Sequence, residues 1–415
     1  MFFTKNKKAI SSESITGLTW KRFRKNRGAM LGLYAILFSV VIACLGYSIT
    51  PDQSPDANEQ NPELHVLKPG SRVNFLLIAK RSDTDSRGFI MRMLFGEPGA
   101  YQAIPIYSHT FRGPNLVVEE FSGHTPNKGA QRVYSIARVL YPLETKKPLV
   151  YDSLKRELRF TREGDDQESV AGIDAMQRDI LEKHFESRFY LLGTDLLGRD
   201  VLSRLIIGTR ISLSVGLLSV LIALLIGITL GALAGYYRGI TDSLIMWLIN
   251  VVWSIPTLLL VIAITLVLGK GVLQVFIAVG LTMWVEVARI VRGQILSLRE
   301  KEFVEAGRAL GFSDARIIFR HVLPNVMGPV IVIAAGNFAS AILMEAGLSF
   351  LGIGAQPPMP SWGEMINAHR GYILMDKAYL AFIPGLAIML LVLAFMMLGN
   401  GLRDAMDNRI AEKSK

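Results

Sequence analysis

The sequence predicts an all-α integral membrane protein with six transmembrane helices and an inserted, strand-rich domain on the extracytoplasmic side. Three observations carry that prediction. Hydrophobic residues make up 51% of the 415 residues and charged residues only 19%, against about 25% charged in soluble globular domains. Apolar stretches near or beyond the roughly 18 residues that mark a span recur along the chain. Lysine and arginine gather in alternate connections between those stretches. With one cysteine, Cys44, no disulfide framework can form within the chain. The net charge of +10 needs no nucleic acid to explain it, because basic residues held in cytoplasmic loops produce the same balance.

In chain order, a basic N-terminus over 1–27 precedes a first span over 28–51. A polar insertion occupies 52–190, and a core with the other five spans runs over 191–403, leaving a tail at 404–415. Uncharged runs place the second span at Ile211 to Gly235, the third at Ser243 to Gly269, the fifth at Val322 to Met344 and the sixth at Ala378 to Leu402. The fourth is shorter, and allowing a polar inner end with Glu286 and Arg289 gives a helix over about Val272 to Arg292. Twenty lysines and arginines flank one side of these spans, among them Lys5, Lys7, Lys8, Arg238, Arg299, Arg308, Arg409, Lys413 and Lys415. The opposite short loops hold only Lys270, Arg370 and Lys377. Both termini are therefore expected in the cytoplasm. Val41-Ile42-Ala43-Cys44 weakly imitates a lipoprotein cleavage box, but the apolar run is too long for a signal core, so the first span is expected to stay attached.

Within the insertion, Val73 to Ala79, Leu116 to Val118, Val133 to Leu140 and Leu149 to Tyr151 read as strands between Gly, Pro and Asn signals, and Val170 to Phe189 reads as helix. His65, His109, His124 and His184 are scattered, so neither a metal cluster nor a nucleophile signature is expected there. Just beyond it, Asp195 with Arg199 and Asp200 with Arg204 stand at i,i+4. They read either as weak surface pairs on a solvated helix, about 0.2–0.5 kcal/mol each, or as a contact for a partner protein. Trp362, after Gln356 to Pro360, reads as an interfacial anchor.

Charges inside spans are costly. Glu286 lies near the inner boundary and is expected to pair with Arg289. Glu345 lies near the outer boundary and, with the deeper Asn337, is a candidate for a transport path. Asn250 and Asn337 can also bridge helices.

The most informative stretch is the loop at 295–324, reading SLREKEFVEAGRALGFSDARIIFRHVLPN from Ser297 to Asn325. Lys301 to Leu310 predicts a helix with Phe303, Val304, Ala306 and Leu310 on one face. Gly311 supplies a bend, and Ser313 caps a second helix that Pro324 is expected to end. So apolar a loop must cover something. At these residues the chain resembles permease subunits of ABC importers, whose signature runs Glu-Ala-Ala, three residues, Gly, nine residues, Ile, one residue, Leu-Pro. The matching positions are Glu305, Ala306, Gly307, Gly311, His321, Leu323 and Pro324, with Gly307 in place of alanine and His321 in place of isoleucine. The resemblance implies that this loop couples to an ATP-hydrolysing subunit. Leu191 to Gly216 and Glu345 to Ile366 resemble the dipeptide, oligopeptide and nickel branch, and within it the C-type subunit of a permease pair.

What the resemblance implies is half of a peptide-translocation pathway working by alternating access, with nickel as the alternative cargo. The partners would be a second homologous permease, two ATP-binding subunits, an extracytoplasmic substrate-binding protein and the lipid bilayer. No G-x-x-x-x-G-K-[ST] phosphate loop occurs in the sequence, so ATP and Mg are expected on partner subunits and no cofactor in this chain. A channel or secondary transporter should show inverted repeats or mid-membrane charge. A membrane-anchored enzyme would need its chemistry in 52–190, where no catalytic constellation is legible.

Overall fold

The computed structural model describes residues 15–80, 88–123, 129–144, 147–165 and 167–406. Lys5, Lys7, Lys8, Arg409, Lys413, Lys415 and His124 lie outside the described residues. Helix α1 (Ile15–Lys25) ends at Asn26, whose side chain accepts from the Ala29 amide at 3.1 Å and so starts α2 (Arg27–Leu45).

The insertion comprises β1 (Ser71–Ala79), α3 (Phe89–Phe95), β2 (Tyr101–Arg112), β3 (Asn115–Glu120), β4 (Gln131–Ser135), α4 (Ile136–Leu140), β5 (Val150–Asp152), β6 (Glu157–Thr161), β7 (Glu168–Gly172), α5 (Ile173–Lys183) and β8 (Phe185–Tyr190). Its strands form an antiparallel sheet in the order β4-β3-β2-β1-β8 and a smaller sheet β5-β6-β7. Leu76, Ile106, Leu116, Phe160, Ile173 and Ile180 are buried between these layers. Ser71 pairs with Tyr190, so the chain leaves the domain beside its point of entry, the geometry that lets a span-to-span connection carry an insertion.

Two expectations need correction here. Val133 to Leu140 is strand only as far as Ser135, then becomes α4. A helical turn buries Ile136, Ala137, Val139 and Leu140 together, where a strand would have turned alternate residues outward. Val170 to Phe189 is helical only over α5, because its flanks pair with β6 and β1. The long β2 is hidden in the sequence by Pro105, which removes a ladder donor and stands beside a register shift between Ile106 and Ser108.

The membrane bundle is formed by α2, α6 (Val201–Tyr237), α7 (Gly239–Trp253), α8 (Thr257–Leu268), α9 (Val272–Leu298), α12 (Leu323–Phe350) and α14 (Tyr379–Met406). Among the described residues, five helices are long and apolar enough to cross a membrane. The expected third span is a pair of shorter helices, α7 and α8, bent by 90°, and counting it as one span gives six. The break falls at Ser254 to Pro256, because proline cannot donate to a helix and biases the residue before it out of helical geometry.

Packing of α6 on α9 rests on small residues at fixed spacing. A Cβ at Gly227 would come within 2.5 Å of Val287, one at Gly231 within 2.5 Å of the Ala288 carbonyl, and one at Gly235 within 2.9 Å of the Arg292 carbonyl. Spacing by four puts all three on one face, so the two backbones approach as only glycine permits.

Candidate functional site

The loop at 295–324 folds as two helices meeting at an elbow. Helix α10 (Glu302–Ala309) closes with the Gly311 amide donating to the Arg308 carbonyl (2.9 Å) and the Phe312 amide to the Gly307 carbonyl (3.0 Å). That paired closure requires a left-handed residue, and Gly311 sits at φ +74°. Ser313 caps α11 (Asp314–Ile317) by accepting from the Arg316 amide.

The expected stop at Pro324 does not occur. Residues Ile318–Val322 form a π turn in which the Leu323 amide reaches back to the Ile318 carbonyl, and the helix runs on as α12. A π turn shifts the hydrogen-bond register by one residue and so absorbs the amide that Pro324 lacks. The elbow is thus continuous with a span.

Which face α10 buries also differs from expectation. Val304 and Gly307 pack inward with Ile317, Ile318 and Val322. Phe303, Ala306 and Leu310 stand outward, Leu310 being 71% exposed, and so does Phe319 at 72%. Glu305 is exposed beside them. A Cβ at Gly307 would meet Phe312 at 3.5 Å and Ile317 at 3.7 Å, ordinary contact, so alanine fits there. His321 stacks on Phe312 (centroids 5.7 Å apart), and Arg316 covers the same ring at 4.1 Å.

The elbow is tied to the near end of α6. Tyr236 donates to Asp314 Oδ1 at 2.6 Å, its carbonyl accepts from Arg299, and Arg308 lies 5.4 Å from its ring centre. Arg238 pairs with Glu300 at the surface.

Between the bent pair and the bundle lies a cavity of about 110 Å³, lined in part by Trp253, Thr257, Thr282, Glu286, Asn337 and Ser340. The Asn337 side-chain nitrogen is buried without a hydrogen-bond partner. The expected pairing of Glu286 with Arg289 is absent among the described residues. Arg289 instead donates to Asn250 Oδ1 (3.1 Å) and lies over the Trp253 ring (3.4 Å), a bridge between α7 and α9. Glu345 is not in this lining. It is buried towards the opposite end of α12, where it accepts from Ser349 at 2.7 Å.

At the insertion end of the bundle, the expected surface pairs are buried. Asp195 accepts from the Arg199 side chain at 2.7 Å and from the Leu197 and Arg199 amides. Asp200 does not pair with Arg204. It caps α6 through the Ser203 amide (2.8 Å) and hydroxyl (2.5 Å), and burial raises its carboxyl above its ordinary value. Arg204 is 1% exposed and reaches across the chain to Glu364 at 3.0 Å and the Pro358 carbonyl at 3.3 Å. Glu364 opens α13 (Trp362–His369), capped by Ser361. Trp362 is no interfacial anchor: it is buried on Gly208 and donates to the Leu205 carbonyl at 2.9 Å. The segment before α6 covers the charges, with Asn61 and Val66 bonded to the Leu197 and Asp195 carbonyls.

Residues 227–412 match the family described as binding-protein-dependent transport system inner membrane component, and residues 14–69 match the N-terminal TM domain of oligopeptide transport permease C. A glutathione transport system permease, GsiD of Pectobacterium atrosepticum, is 45% identical over 224 residues, 54% of this chain and 74% of that protein. The chain belongs to the dipeptide and oligopeptide family of ABC importer permeases. A dipeptide transport system permease, DppC of Alkalihalophilus pseudofirmus, is 44% identical over 218 residues, 52% of the permease and 71% of that protein. A solved structure described as inward facing conformations of the MetNI methionine ABC transporter aligns at TM-score 0.42 and 18% identity over 50% of the permease and 98% of that chain, too loosely to argue from. Both family matches leave out 70–226, which holds most of the insertion.

The permease keeps Glu305, Ala306, Gly307, Gly311, His321, Leu323 and Pro324 together at one elbow. Sequence reading missed the Arg204–Glu364 contact, whose partners lie 160 residues apart. The available signal was Arg204 itself, a charge at the head of an apolar helix that needs a partner if it is buried; besides Glu364 it lies 3.8 Å from Asp195.

Proposed function

We propose that this permease subunit forms half of the pathway by which an ATP-driven importer takes up peptides by alternating access. It works beside a second, homologous permease, two ATP-binding subunits and a substrate-binding protein on the insertion side. The elbow and both termini face the cytoplasm and the insertion faces outward. ATP and Mg are held by the partner ATPases, and this chain performs no bond chemistry. A peptide cargo is supported by the dipeptide and glutathione permeases among its relatives.

The observation that carries the reading is the elbow. Phe303, Ala306, Leu310 and Phe319 are turned away from the bundle, on a unit whose second helix continues into span α12. A rigid connection of that kind converts the movement of a docked ATPase into rotation of a span. Motion of α12 and α9 would open or close the cavity at Glu286, Asn337 and Ser340, which we assign to the path. Glu345, buried at the far end of α12, lies outside that cavity and is not assigned to the path.

The test is uptake of dipeptides into vesicles carrying the chain with its copurifying subunits. Uptake should stop when nucleotide is exhausted, and uptake by the purified chain alone, with no nucleotide-hydrolysing companion, would overturn the reading.

A further inference from the structure

Helix α3 has the sequence FIMRMLF, and none of its seven residues is buried. Phe89 is 70% exposed and Ile90 68%, with Met91, Leu94 and Phe95 close behind. Seven residues are too few to hold a helix in water unaided, and so dense an apolar patch implies a covering. Its position says what covers it. Arg210 donates to the Met93 carbonyl at 2.7 Å and the Leu94 carbonyl at 2.6 Å, at the closing turn of α3. The same guanidinium donates to the Ala43 and Cys44 carbonyls, at the closing turn of span α2. One cation therefore clamps two helix C-termini, whose free carbonyls carry partial negative charge.

Arg210 is also the last charge before the uncharged run from Ile211 to Gly235 in α6. The clamp thus sits at the level where two spans leave the apolar layer. Gly46 makes room for it, since a Cβ there would lie 2.3 Å from the guanidinium. Helix α2 exposes Leu37, Phe38, Val41 and Leu45 on its way to the clamp, and α3 lies in contact with it. The only charge on α3, Arg92, reaches Glu97 at 3.5 Å.

We infer that α3 is a lipid anchor: its apolar side chains lie in the phospholipid leaflet on the insertion side, at the boundary of headgroups and acyl chains, and Arg210 fastens it to the spans. Short helices with apolar bodies bind at that depth when something else supplies their order, and here the clamp supplies it. The insertion is thereby moored to the membrane at a point separate from its two chain connections.

The experiment uses the full chain with its copurifying subunits in phospholipid nanodiscs, in a Cys44→Ser background because Cys44 is exposed. An environment-sensitive fluorophore is placed at Ile90→Cys, at Phe38→Cys on the wall of α2, and at Leu154→Cys on a fully exposed turn of the insertion. Quenching is read with nitroxide-bearing phospholipid and with aqueous iodide. The anchor predicts that the probe at position 90 follows position 38, quenched by lipid and spared by iodide, while position 154 does the reverse. Iodide quenching at 90 equal to that at 154 overturns it, and protection from both quenchers overturns it in favour of a protein partner. Arg210→Gln should abolish lipid quenching at 90 and leave it at 38. Retention of quenching at 90 in that variant contradicts the clamp, and if the variant fails to assemble, the position-90 result alone decides.

Discussion

The two ends of α6 are built on opposite principles. At the insertion end, Asp195, Arg199, Asp200, Arg204 and Glu364 are all buried, and their hydrogen bonds join the start of α6 to α13 and to the chain before β1. At the other end, the buried Tyr236 and the exposed Arg238 hold the elbow through partners that face solvent, Asp314 and Glu300, and the elbow turns apolar side chains outward. Buried charge that loses its partner is costly, so contacts of this kind resist rearrangement. Exposed polar contacts cost little to break and remake. One end is therefore a fixed seat and the other a handle.

That contrast can be broken most severely at Arg204. Arg204→Met leaves Glu364 buried without its cation and should cost about 3–5 kcal/mol, read as lost thermal stability of the purified chain. Adding Glu364→Gln should recover much of the loss, whereas additive losses would mean that the two residues are not coupled. Next is the seam between the two ends. Gly231→Leu drives a side chain into the Ala288 backbone and should cost about 1–3 kcal/mol, with the same substitution at Gly336, where nothing lies within 4 Å, costing far less.

A smaller effect is expected at Asp200, whose carboxyl burial raises above its ordinary 3.8. The folded chain keeps this proton to higher pH than the unfolded one, so the folded state loses stability as pH rises from 3.8 through the raised value. Asn caps a helix as Asp does, so Asp200→Asn should gain on wild type across that window in thermal melts and run parallel to it above. Identical pH profiles would remove burial as the cause. The smallest effect belongs to the handle: Gly307→Ala restores a helix-favouring residue into open van der Waals space and should stabilise by up to about 1 kcal/mol, without loss of coupled ATP hydrolysis.

Much of this was legible in the sequence. The apolar runs located the spans because backbone polar groups in lipid must be satisfied within a helix, and the Gly311 elbow was legible because only a left-handed residue closes α10 in that manner. Partners far apart in sequence were not legible. Asp195 and Arg199 looked like a weak local pair because i,i+4 spacing carries no information about the residues that would cover them. Pro324 looked like a stop because the π turn that accommodates it has no simple sequence signal. The outward face of α10 was misassigned because Val304 and Phe303 are adjacent apolar residues, and only the packing of Ile317 and Val322 decides which of them turns in.

The central claim is that the outward face of the elbow is where an ATPase subunit docks. The direct measurement is a pull-down of the full chain carrying Phe303→Asp and Leu310→Asp, exposed positions that the fold does not need, with melting temperature measured alongside. The account predicts an unchanged melt and loss of the copurifying ATP-hydrolysing subunits. An unchanged melt with those subunits still bound, and cargo still stimulating hydrolysis, would contradict it.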